Sequence, residues 1–191
     1  MIAKELISKK RNKNSLSKNE IKWLVEGITN YSLSDSQVSA LVMVIYFNGL
    51  NLEERENFTQ FMIQSGSYIK LNLEKPIIDK HSTGGIGDNV SIILAPLLAA
   101  CGCYVPMISG RSLGHTGGTL DKFDSIPGYN TSASVEKFIS VVTNVGCAII
   151  GQTKDVAPAD KRLYKIRDST GTIESIDLIV SSILSKKLSI N

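Results

Sequence analysis

Two glycine-rich segments constrain the fold of this chain more than any other feature. The first reads Lys80-His81-Ser82-Thr83-Gly84-Gly85-Ile86-Gly87-Asp88. The second reads Ser109-Gly110-Arg111-Ser112-Leu113-Gly114-His115-Thr116-Gly117-Gly118-Thr119-Leu120-Asp121-Lys122. Each follows a short apolar run and precedes a stretch of helical character. Residues 76–80, 104–108 and 147–150 read as three buried strands. Residues 88–100 and 135–145 suit the helices between them, with Pro96 expected to kink the first. Gly102 and Gly146 are natural stops. Strand, helix, strand, helix, strand implies a parallel α/β layer with right-handed crossovers.

The chain before this layer has a different period. Ser17 and Glu20 form a capping-box pattern ahead of Ile21, Leu24, Val25 and Ile28, which share one helical face. Ser34 and Gln37 repeat it before Val38, Leu41, Val42 and Ile45. Asn51 and Glu54 start a third helix, with Phe58, Phe61 and Met62 inward and Gly66 as its end. Ile69, Leu71 and Leu73 alternate as a short extended linker. After Ala157 the helical pattern returns, with Pro158 in a first turn. Ser175 is placed to cap a last helix carrying Ile176, Ile179, Ile183 and Leu184. The expected architecture is therefore α plus α/β. Residues 1–67 suggest a small helical bundle, residues 68–156 make part of a parallel α/β domain, and residues 157–191 return to helices.

Composition narrows the function. Apolar residues are 42% of the chain and charged residues 20%, so a packed core can form and wholesale disorder is not expected. The formal charge of +3 is too small to imply nucleic acid. Lys9, Lys10, Arg11 and Lys13 read as a solvated helix end rather than a nucleic-acid arm. Three cysteines, Cys101, Cys103 and Cys147, make a poor disulfide framework. They sit in apolar runs and are expected to be buried free thiols, which fits a reducing cytoplasm. They lack the second ligand pair of a metal site. The longest apolar run, 92–101, is too short to span a bilayer, and the N-terminus has no signal-type stretch.

The glycine segments suit an anion. Glycine lets backbone approach a ligand closely, and a helix start offers unpaired amide donors with a partial positive charge. Lys80 adds a full charge, and Ser82 and Ser91 add hydroxyls. Ser109 and Thr119 are hydroxyl donors from the second segment, at the strand ends where open α/β sheets bind ligands. Neither segment is a Walker loop or a Rossmann fingerprint. Glycines alone favour a purely structural turn by roughly two to one; Lys, His and Ser beside them reverse that preference. His81 is suited to proton transfer or oxygen recognition, whereas His115 reads better as a brace for its loop.

At these residues the chain resembles the thymidine phosphorylase and pyrimidine-nucleoside phosphorylase family. The match runs through residues 80–88 and 106–128, Ile149-Ile150-Gly151-Gln152-Thr153 and Ala157-Pro158-Ala159-Asp160-Lys161-Arg162-Leu163-Tyr164. It continues through Arg167-Asp168 and residues 181–187, nearly to the end. The resemblance implies reversible phosphorolysis of thymidine, deoxyuridine or uridine to free base and sugar 1-phosphate. It also implies a homodimer formed through the helical domain, a cleft between the two domains, phosphate as co-substrate and no cofactor, metal, nucleic acid or membrane. Phosphate would be held by Lys80, Ser82, Ser91, Ser109 and Thr119. The pyrimidine would be read by His81, Arg167, Ser182 and Lys186, with Tyr164 and Leu113 lining the pocket. His81, Arg167 and Lys186 would carry the catalysis. Spacing adds its own support: Ser182 and Lys186 are four apart and project from one helix face. A uracil or thymine ring shows two carbonyl oxygens flanking an N–H, which suit cationic donors and an accepting hydroxyl.

Departures are few. Ser112 stands where the family has glycine, Asp177 where proline is common, and Gly171 follows Arg167 closely. Family members continue beyond the equivalent of Asn191, so the resemblance makes this chain their N-terminal portion. The alternatives are a related phosphoribosyltransferase, which would need a magnesium-diphosphate site, and a non-catalytic fragment that binds phosphate or nucleoside.

Overall fold

The computed structural model describes residues 1–82, 88–111 and 117–190. In chain order its elements are α1 (Ala3–Arg11), α2 (Lys18–Thr29), α3 (Asp35–Asn48), α4 (Leu52–Gln64), α5 (Val90–Ala100), β1 (Val105–Ser109), α6 (Thr119–Phe123), α7 (Val135–Val145), β2 (Cys147–Gly151), α8 (Pro158–Thr170) and α9 (Ile176–Lys187). They form two compact units, Met1–Ser67 with Lys154–Ser189, and Tyr68–Thr153 with Ile190.

The first unit is a helical bundle. Its helices start where local chemistry tells them to. Ser17 accepts from the Glu20 amide while the Glu20 carboxylate accepts from the Ser17 amide at 2.6 Å. The Ser34/Gln37 and Asn51/Glu54 pairs do the same, each satisfying amides a helix start leaves without partners. The inward faces then meet. Ile21, Leu24, Val25 and Ile28 of α2 pack with Val38, Leu41, Val42 and Ile45 of α3, Phe58 and Met62 of α4, and Leu163 of α8. Burying each such side chain stabilises the fold by about 1.5–3 kcal/mol. α8 opens on Pro158 after Ala157, whose φ of 44° is left-handed. Ser175 occupies the N-cap of α9 without a side-chain capping bond.

Two buried cations tie the bundle together. Lys10, expected in solvent with its neighbours, is 4% exposed and donates to both Glu54 oxygens at 2.8 and 2.7 Å. Glu54 is itself only 2% exposed and also accepts from the Leu16 and Asn51 amides. Its capping role fixes a carboxylate indoors, and a charge there requires a partner. Arg162 donates to Ile28 O at 2.8 Å and Leu33 O at 2.7 Å, closing the carbonyl end of α2. It also pairs with Asp35 and lies over the Tyr31 ring.

The second unit is a small parallel α/β layer. β1 and β2 pair in parallel from Val105↔Cys147 to Ser109↔Gly151. Ala95 of α5 packs with Val105, Met107 and Ile149. α7 stops at Gly146, whose φ of 91° is left-handed. α5 continues through Pro96.

The expected first strand differs. Residues 76–80 make a single bridge, Ile77↔Tyr104, and Ile77 and Ile78 are 39% and 37% exposed rather than buried. Pro76 has no amide to donate, and the Asp79 carboxylate accepts from the Lys80 amide at 2.7 Å, an alternative to a strand ladder. Ile69 of the linker bridges Ile190. The thiols also differ from expectation. Cys101 and Cys103, in the turn ending α5, are exposed and half-buried, and Cys147 at the start of β2 is half-buried. Burial still pushes the Cys147 thiol above its ordinary value.

Candidate functional site

In the second unit, Lys80, Ser91 and Thr119 converge on one carboxylate. Lys80 follows the bridged segment, Ser91 lies in the first turn of α5, and Thr119 begins α6. Asp88, just before α5, is buried among them. Its Oδ1 accepts from Lys80 Nζ at 2.6 Å and from the Ser91 amide at 3.1 Å. Its Oδ2 accepts from Ser91 Oγ at 2.5 Å and Thr119 Oγ1 at 2.9 Å. Lys80 Nζ also donates to Ser91 Oγ at 3.0 Å. Burial works against the Asp88 charge, but the bonds from Lys80, Ser91 and Thr119 outweigh it and hold the carboxyl far below the usual carboxylate range. Three of the five expected phosphate ligands meet here. Ser109, half-buried at the end of β1, has no side-chain hydrogen bond among the described residues. Ser82 is half-buried, and His81 is exposed.

In the first unit, a second polar set sits between α8 and α9. Lys186 Nζ donates to Asp160 Oδ2 at 2.5 Å and to Ser182 Oγ at 2.9 Å. All three side chains are buried, Asp160 at 1% exposure. Arg167, at 3%, donates to Ile173 O at 2.7 Å and Leu178 O at 3.2 Å. Burial pulls its guanidinium below the usual range, and the charge of Asp160 opposes that. Among the described residues, Asp160 Oδ1 and Arg167 Nε have no hydrogen-bond partner. A buried polar atom left unpaired costs about 1–3 kcal/mol. Tyr164 is half-buried on α8. Arg167 is thus an interior cation that donates to carbonyls of the turn before α9 and of the first turn of α9.

The sequence reading gave no role to Asp88 or Asp160. A signal for Asp160 existed: Asp160, Tyr164 and Arg167 are spaced four and three apart, so they line one helix face. For Asp88 the signal was weaker, since a carboxylate beside a helix start is usually only a cap. Asp177, noted as a departure, is structural. It accepts from the Leu50 amide at 2.7 Å and pairs with Arg55.

Leu113 and His115, with Gly84, Gly85 and Gly87, lie outside the described residues. Among the described residues, no group of three or more His, Cys, Asp or Glu is placed to hold a metal ion, and no helix is long and apolar enough to cross a membrane.

Comparison with known proteins follows the two units only in part. The fold is similar to that in the crystal structure of anthranilate phosphoribosyltransferase (TrpD) from Thermus thermophilus, with a TM-score of 0.78 at 18% identity. The match covers 97% of this chain and 55% of that one, so this chain spans little more than half of that relative's length. The likeness establishes a helical bundle followed by a small parallel α/β domain. Residues 4–66 match the family described as glycosyl transferase family, helical bundle domain. Residues 74–189 match glycosyl transferase family, a/b domain, and with most of its length so matched the chain belongs to the glycosyl transferase family.

Proposed function

We propose that this chain carries the substrate-binding residues of a pentosyl transferase that splits pyrimidine nucleosides with inorganic phosphate. The observation that carries the reading is the buried set on α8 and α9, in which Lys186 donates to Ser182 and Asp160, and Asp160 Oδ1 and Arg167 Nε have no partner among the described residues. Arg167 Nε is a free donor and Asp160 Oδ1 a free acceptor, beside the ammonium of Lys186. Donors flanking an acceptor complement the carbonyl, N–H, carbonyl edge of uracil or thymine. Lys80, Ser91 and Thr119, with Ser82 and Ser109, form the phosphate side of the reading.

The reaction needs no enzyme-bound covalent intermediate. A phosphate oxygen bonds to the anomeric carbon as the bond from that carbon to the ring nitrogen breaks. The bonding pair leaves with the base, which becomes anionic and then takes a proton. Arg167 and Lys186 stabilise the departing anion, an electrostatic role suited to a dry site. His81 donates a hydrogen bond or proton to the base. The reading carries with it a dimer formed through the helical unit, and no cofactor beyond the co-substrate.

The test is product analysis with thymidine and uridine, each with and without phosphate. Base release that depends on phosphate supports the reading, and its absence from the purified chain and from any longer form removes it. In an active form, Arg167→Ala or Lys186→Ala is expected to lower turnover about a hundredfold or more, the loss seen on removing one charge-stabilising donor. Near-normal turnover in both would rule out these roles. The likeness to an anthranilate phosphoribosyltransferase fold supports a second reading, transfer of a phosphoribosyl group. Transfer from a phosphoribosyl diphosphate to an aromatic amine, with no phosphorolysis, would favour it.

A further inference from the structure

We infer that the polar set between α8 and α9 takes the free pyrimidine base as its anion, so that this chain selects among bases by the acidity of the ring N–H. This rests on the pyrimidine reading of Arg167, Ser182 and Lys186. The argument is one of charge. Lys186 and Arg167 are both buried and share one buried carboxylate, Asp160. Lys186 Nζ is matched to Asp160 Oδ2 at 2.5 Å. Arg167 donates instead to the carbonyl oxygens of Ile173 and Leu178. Carbonyl oxygens solvate a guanidinium but bring no charge to cancel it, and its Nε has no partner among the described residues. One positive charge is therefore left over in the interior, where an uncompensated charge is costly. Leu178 lies one turn before Ser182 on α9, and Lys186 one turn after it, so the surplus charge sits along the same stretch of helix as the base-reading hydroxyl.

The neighbouring helices do not supply the missing negative charge. α2, α3 and α4 pack against α8 and α9, and their carboxylates are matched elsewhere: Glu20 with Lys9, Glu26 with Lys22, Asp35 with Arg162 and Glu54 with Lys10. Asp177 of α9 is taken by Arg55. Glu53, Glu56, Asp168 and Glu174 are exposed, and Tyr164 is half-buried. Residues 83–87, 112–116 and 191 include no Asp or Glu. A ligand can make good the deficit. A free uracil or thymine has two ring N–H groups. The edge that the site reads keeps the N–H between the two carbonyls. The other nitrogen, which bore the sugar, can lose its proton without changing that edge or the shape of the ring. The negative charge then spreads onto the carbonyl oxygens, where it strengthens the hydrogen bonds from cationic donors. The neutral base brings no such compensation. In a partly desolvated site, one unit charge a few ångströms away favours the anion by about tenfold or more.

Fluorine NMR of 5-fluorouracil tests this, because its ring N–H ionises close to neutral pH and its fluorine shift follows the ionisation. With the 191-residue chain in excess, the midpoint of that titration is expected to fall by at least about one pH unit from the free-ligand value, which corresponds to a tenfold preference for the anion. Affinity for the total ligand accordingly rises with pH between the bound and the free midpoints. Lys186→Met removes the surplus cation, and the midpoint is expected to return close to that of the free ligand. A bound ligand whose midpoint is unchanged or raised overturns the inference and leaves the pyrimidine site standing. A lowered midpoint that survives in Lys186→Met also overturns it, since the charge would then come from elsewhere. Binding of neither 5-fluorouracil nor thymine overturns both. The titration with the unmodified chain needs no variant, so the inference stays open to refutation even if the Met substitution unfolds the chain.

Discussion

At the scale of single residues, position in the charge run says little about environment. Lys9 and Lys10 are neighbours with opposite fates. Lys9 bridges Glu20 near the surface, whereas Lys10 closes on Glu54 in the interior. Removing Lys10 leaves a desolvated carboxylate without its cation, which costs about 3–5 kcal/mol. Removing Lys9 breaks an exposed pair worth under about 1 kcal/mol. Urea unfolding of Lys10→Met and Lys9→Met should therefore separate widely. Similar losses would show that Glu54 finds another donor. The same distinction governs the site. Lys186 and Arg167 read in sequence as donors to a pyrimidine, with nothing to say that either is interior. The fold buries both, and what gives them chemical interest is the unpaired atoms beside them.

At the scale of elements, starts and stops were plain in the sequence, because a cap involves residues only three or four apart. The three capping boxes formed as spaced, and α7 ended at its glycine. Gly146 and Gly171 both hold left-handed φ values, 91° and 65°. They differ in surroundings. A Cβ on Gly146 would lie 3.0 Å from Ala99 Cβ, whereas one on Gly171 meets nothing within 4 Å. The left-handed backbone alone costs an L-residue about 1–2 kcal/mol. Gly171→Ala should lose about that much, and Gly146→Ala more, by thermal unfolding. Equal losses would mean α5 shifts freely to make room. Residues 76–80 misled because a strand exists only through its partner. Apolar character there marked a bridge: Tyr104 bonds to Pro76 O and the Ile78 amide, and beyond it the Lys80 amide turns to the Asp79 side chain.

At the scale of the whole molecule, the two units invite separate probes. The one tryptophan, Trp23, packs against the bundle core. All three cysteines fall within Tyr68–Thr153. The bundle buries a far larger apolar cluster than the two-stranded layer, and small parallel sheets are weak alone. With Cys101 and Cys103 replaced by serine, labelling of Cys147 in β2 should therefore report opening at lower urea than Trp23 fluorescence does. Coincident transitions would show a single cooperative unit. The sequence by itself determined the capped starts of α2, α3 and α4, the glycine stop of α7, and the change from helices to an α/β layer. Each of these rests on contacts between near neighbours or on periodicity along one element. Only the tertiary structure decided that Lys10 is interior, that residues 76–80 are not a strand, and that Asp88 and Asp160 stand at the centres of the two polar sets. Those outcomes depend on which distant groups arrive beside a charge, and a carboxylate recruits its donors through space rather than along the chain.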